Sequence, residues 1–167
     1  MYKNRLEFIL SNENANLRRD NWRDFIRQIY NKKENKQHRN AVLTCSYKNF
    51  ENIKRILLTS SEEFKTVNMD YIVVISSVLQ EEVSAFLSFL LDNNFKNVIV
   101  LEAITNLGGS GGVALGLEYI LNGAYVKVIL LEDDVEILDD DFFSQMFIAI
   151  DETTLVHSTC KNSKNAY

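Results

Sequence analysis

Proline is missing altogether from this chain of 167 residues, while asparagine and lysine abound; the bias is compositional and supports no structural argument. Cysteine is scarce. Cys45 and Cys160 are the only thiols, too few for a disulfide framework, so a reduced, cytoplasmic setting is expected. Histidine is equally rare, and two scattered His with two scattered Cys do not make a zinc site. No apolar run approaches the ~18 residues that a membrane span needs. Polar sequence soon after Leu10 argues against a cleaved signal peptide. What remains, 46% hydrophobic and 25% charged, is the profile of a soluble globular domain with one core.

Charge is divided unevenly. Residues 1–40 carry ten Lys/Arg against five Asp/Glu, and residues 41–167 carry eight against eighteen. The acidic part would repel phosphate backbones, which argues against nucleic acid as the main partner. It suits a divalent cation instead.

The spacing predicts an amphipathic helix over residues 17–30, with Trp22, Phe25, Ile26 and Ile29 on one face. Arg19, Arg23 and Arg27 form a basic stripe on it, either a solvated face or a peripheral contact with an anionic membrane surface. Residues 31–40 read as a polar linker, so residues 1–40 make a helical extension and linker. Strands are expected over 41–45, 71–75, 97–101 and 126–131, from their β-branched, apolar content. Helices are expected over 49–60, 81–93, 113–121 and 139–150, the last with Asp139, Asp140 and Asp141 at its N-terminus. Such alternation implies a mainly parallel α/β sheet with helices on both faces, spanning 41–157, and a polar tail over 158–167. Ligands of such sheets bind beyond the carboxyl ends of the strands.

Two motifs stand at such ends. The first is Asn106-Leu107-Gly108-Gly109-Ser110-Gly111-Gly112, which holds four of the six glycines. Glycines allow close backbone approach, and the following helix offers its N-terminal amides to an anion. Neither the P-loop nor the dinucleotide pattern is present; a plain flexible turn is the alternative. The second motif is Glu132-Asp133-Asp134, after the last strand. Three adjacent carboxylates repel one another unless a cation intervenes. In an extended chain Glu132 and Asp134 would face the same way and share a hard metal such as Mg²⁺ or Mn²⁺. A solvated acidic loop is the alternative.

The two motifs together, from about Ala41 to Phe143, resemble the family 2 GT-A glycosyltransferases, and most of all their galactofuranosyltransferase and rhamnosyltransferase-like branch. The resemblance implies a Rossmann-like GT-A fold, with 41–157 as the donor-binding domain. It implies transfer of a sugar, galactofuranose among the candidates, from a nucleoside-diphosphate sugar to the hydroxyl of a glycan or lipid-linked acceptor. By the same resemblance, Glu132 and Asp134 contact a Mg²⁺ or Mn²⁺ ion and the diphosphate. Asp133 approaches the donor sugar or ribose, and Asn106, Gly108, Gly109, Ser110, Gly111 and Gly112 shape the donor pocket. Thr44 lines the nucleotide base. UDP-sugars are the donors implied.

The chain departs from the family pattern at Val74-Ile75-Ser76-Ser77-Val78, where a uridine-holding acid or amide is usual, and at Glu132, where Asp is usual. It also ends soon after the triplet. Asp151, Glu152 and His157 are the late candidates for a base, none compelling. The expectation is therefore a C-terminally truncated or split transferase, or a remnant that binds a nucleotide without turnover. A nucleotidyltransferase is a third reading, weakened because Thr44-Cys45-Ser46-Tyr47-Lys48-Asn49 contains no glycine.

Overall fold

The computed structural model describes residues 22–31, 40–76 and 79–150. They form one five-stranded sheet with interleaved helices. The strands are β1 (Ile26–Asn31), β2 (Asn40–Ser46), β3 (Met69–Ser76), β4 (Val98–Ala103) and β5 (Lys127–Leu130). The helices are α1 (Phe50–Thr59), α2 (Glu63–Thr66), α3 (Gln80–Asp92), α4 (Gly108–Leu121) and α5 (Phe142–Ala149). Strand order is β1-β4-β3-β2-β5. The β2, β3, β4 and β5 strands run parallel, and β1 is antiparallel to β4. The mainly parallel α/β expectation holds, with the antiparallel edge as an addition.

Alternation along the strands supplies two cores. Val42, Tyr71, Val73, Ile75, Val98 and Val100 face α1, α3 and α5. Ala41, Leu43, Ile72, Val74, Ile99 and Leu101 face the other way and pack with Ile120 of α4. Burying each such Val, Ile or Leu contributes ~1.5–3 kcal/mol, so strands buried on both faces dominate the folded state.

The predicted helix over 17–30 is corrected. Trp22–Phe25 is a single 3-10 turn and Ile26–Asn31 is a strand; residues 17–21 lie outside the described range. The ladder with β4 skips a residue between Gln28 and Tyr30. Such a bulge breaks the two-residue alternation and leaves Ile26 and Ile29, three apart, both half-buried. That spacing imitates a helix. Arg27 is ion-paired with Glu102 across the ladder, so no helical basic stripe is built over the described residues for a membrane surface to meet. Among them, no helix is long and apolar enough to cross a membrane. The expected tail over 158–167 and the base candidates Asp151, Glu152 and His157 lie outside the described residues.

Charges from elsewhere in the chain tie down α5 at both ends. Glu63 Oε1 accepts from Ser144 N at 2.5 Å in its first turn, and Lys127 Nζ donates to Phe147 O at 2.7 Å in its last. Both signs suit the helix dipole. Asp139 to Asp141 stand at its N-terminus as expected, with Asp141 as the N-cap residue, though its side chain makes no capping hydrogen bond.

Candidate functional site

Strand order turns back between β2 and β5. The chain moves from β2 through β3 to β4 on one side, then crosses over α4 to place β5 on β2's other edge. Loops leaving the strands part company at such a point and open a crevice. A cleft of about 330 Å³ lies there, lined by Cys45, Ser46, Tyr47, Ser76, Asn106, Gly108, Gly109 and Asp133. Both motifs singled out in the sequence reach it, one after β4 and the other after β5.

The glycine run is not a loose turn before a helix starting near Val113. It is the opening of α4, which begins at Gly108. Gly108 takes φ +66, a left-handed entry that L side chains rarely adopt. Asn106 stabilises that entry: its Oδ1 accepts from Gly108 N at 2.9 Å and from Ser76 Oγ at 3.4 Å, linking the ends of β3 and β4. Gly108, Gly109 and Ser110 are exposed; the Gly108 amide is taken by Asn106, whereas the amides after it open the helix, where none has an acceptor four residues back. Gly112 serves packing instead: a Cβ there would stand 2.1 Å from Cys45 Sγ. Gly111 is similarly close to Leu107, at 2.5 Å.

The acidic triplet does not continue β5. The strand ends at Leu130, and Asp133 and Asp134 form a turn. Strand alternation therefore does not set which way Glu132 and Asp134 face. Asp133 is the member that lines the cleft; Glu132 and Asp134 are exposed. The charges of Asp133 and Glu132 are nonetheless felt at Cys45. Burial first, and then these two carboxylates, raise its thiol to about 11, so Cys45 stays protonated and is no nucleophile near neutrality.

Thr44 is fully buried, and its hydroxyl shares a hydrogen bond of 2.9 Å with Tyr71 Oη in the core beneath the cleft. Burial also raises the Tyr71 phenol, with the Thr44 hydrogen bond opposing and Asp133 adding to the rise. The cleft wall at this strand end is made by its neighbours Cys45 and Ser46, and by Tyr47, whose ring is 50% exposed. Reading the sequence missed these three, together with Ser76. Tyr47 was discoverable, since an aromatic just past a core strand in a parallel sheet stands where ligands bind.

Among the described residues, no group of three or more His, Cys, Asp or Glu is disposed to hold a metal ion by itself. A Mg²⁺ ion that keeps most of its oxygen shell from water and substrate phosphates needs only one or two protein carboxylates, and of the triplet only Asp133 lines the cleft. The chain matches no protein-family model, and no curated protein matches it closely enough to be named as a relative.

Proposed function

We propose that this chain is the donor-binding domain of a metal-assisted glycosyltransferase of the GT-A, family 2 kind. It takes a sugar from a nucleoside-diphosphate sugar, a UDP-sugar such as UDP-galactofuranose foremost, to a hydroxyl of a glycan or lipid-linked acceptor. The observation that carries this reading is the meeting of the Gly108–Gly109 helix opening and Asp133 in one cleft at the switch point of the sheet. Amides at a helix start suit phosphate oxygens, while a carboxylate beside them repels the same oxygens. A site that needs both favours a ligand bringing a divalent cation along with its diphosphate. Asp133, with Glu132 or Asp134, would hold that Mg²⁺ or Mn²⁺, which when bound neutralises the departing diphosphate. Tyr47 offers a ring on which a nucleobase can stack, and Ser46, Ser76 and Asn106 offer polar groups along the same wall.

Calorimetric titration with UDP and UDP-sugars, with and without Mn²⁺, tests the reading. Binding that strengthens with metal and weakens in Asp133→Asn supports it; equal or absent binding in both conditions refutes it. A second reading, binding without transfer, is favoured by the cleft lining. Asp133 is the carboxylate lining it among the described residues, and the Cys45 thiol is held protonated, which leaves a general base undefined. UDP release in the presence of a glycan acceptor would exclude that second reading.

A further inference from the structure

We propose that Asn49, the N-cap residue of α1, and Asn52 and Arg55 within it form a ladder of positioning residues that holds the acidic loop in place and so sets where Asp133 meets the cleft. The three fall three residues apart, which stacks them along one face of the helix. Asn49 Nδ2 donates to Asp133 O at 2.7 Å. Asn52 Nδ2 donates to the same carbonyl at 2.7 Å and to Val135 O at 2.8 Å, so both of its amide hydrogens are used. Its Oδ1 accepts from Arg55, whose guanidinium also lies 3.6 Å from Glu136. Asn49 is anchored in turn, its own N–H donating to Ser46 Oγ at 3.2 Å in the cleft wall.

The chemistry of the rungs is graded along the loop. This segment carries Glu132, Asp133, Asp134 and Glu136, and like charges so close push one another apart. A lysine or arginine next to Asp133 would steady the loop but would also neutralise it and compete with a cation. Neutral amides that grip main-chain carbonyls fix the backbone and leave the acid charged. The one cationic rung, Arg55, meets Glu136, beyond the residue that lines the cleft. The ladder stands on these contacts alone; its consequence for ligand binding rests on the donor-binding reading.

The test uses the full chain carrying Cys160→Ser, so that Cys45 is the only thiol. Asn52→Ala and Asn52→Leu remove the donors, the second while keeping the bulk. Asn49→Ala removes a single rung and covers the case in which the Asn52 variants fail to fold. Two readouts are taken: the rate of Cys45 alkylation by iodoacetamide at one fixed pH, and UDP affinity with and without Mn²⁺. The loop brings Asp133 to the cleft that Cys45 also lines, so releasing it opens the thiol to the reagent and alkylation becomes several-fold faster. Mn²⁺-dependent UDP affinity falls roughly 10–100-fold, the range for groups that orient metal ligands, with little change in its absence. An unchanged alkylation rate in the folded variants overturns the ladder. A raised rate in a chain whose wild type binds no UDP upholds the ladder and sinks the donor-binding reading instead.

Discussion

Replacing Gly112 by alanine should destabilise this protein, and replacing Cys45 by alanine as well should reverse the sign. A Cβ on Gly112 would stand 2.1 Å from Cys45 Sγ, whereas Cys45 Cβ at 3.5 Å and Val74 Cγ1 at 3.7 Å would be ordinary contacts. The overlap is therefore with one sulfur atom. Overpacking a filled core costs ~1–3 kcal/mol. Against it stands the helix preference of alanine over glycine, ~1 kcal/mol. Gly112→Ala should thus lose up to about 2 kcal/mol in the Cys45 background. With Cys45→Ala the obstructing atom is gone and the helix gain remains, so the same change should add about 1 kcal/mol. The cycle closes on a coupling of about 1–3 kcal/mol, within the range for residues in contact. Urea unfolding of the four proteins measures it, provided the denaturant slope is unchanged. An equal loss in both backgrounds would refute the reasoning, because it would mean that the glycine is not there to let α4 close on β2.

Three further outcomes follow from the same structure. Gly108→Ala should cost about 1 kcal/mol through its φ of +66 alone, since nothing lies within 4 Å of a Cβ there; urea midpoints will show it. Glu63→Ala should cost about 1–2 kcal/mol by leaving the Ser144 N–H without its acceptor, while Glu63→Gln, which keeps an acceptor oxygen, should cost less. The folded state binds the Cys45 proton more tightly than the unfolded state does, since folding raises that thiol from 9.0 to about 11. The resulting stabilisation is complete below pH 9 and is lost as pH rises through 11. Thermal unfolding followed across that window should show a decline that is shallower in Cys45→Ala.

The central strands were legible because burial on both faces leaves near-continuous apolar runs such as Tyr71-Ile72-Val73-Val74-Ile75, flanked by helices of clear period. β1 was hidden by its bulge, which spaces Ile26 and Ile29 as a helix would. The start of α4 was hidden by the glycines themselves. Low helix propensity argues against a helix there, yet the close approach of Gly112 to Cys45 and of Gly116 to Leu43, at 2.4 Å from a Cβ to Cδ1, requires small residues inside one. Gly108, Gly109, Asn106 and Asp133 line one cleft, because both motifs follow core strands. The positions of Glu132 and Asp134 were not deducible, since the alternation rule stops at Leu130 where the strand does. Asn49, Asn52 and Glu63 left no local signal at all. Each acts on a main-chain group more than 80 residues away, and their partners are set by tertiary packing.

The central claim is that a nucleoside diphosphate with its cation fills the cleft between the opening of α4 and Asp133. Cys45 lines that cleft, so its alkylation in the Cys160→Ser protein reports occupancy directly. Saturating UDP with Mn²⁺ should slow modification of Cys45 markedly, and UDP or Mn²⁺ alone should do so far less. Modification at an undiminished rate, under conditions where calorimetry shows UDP bound, would contradict the account by placing the ligand elsewhere on the molecule.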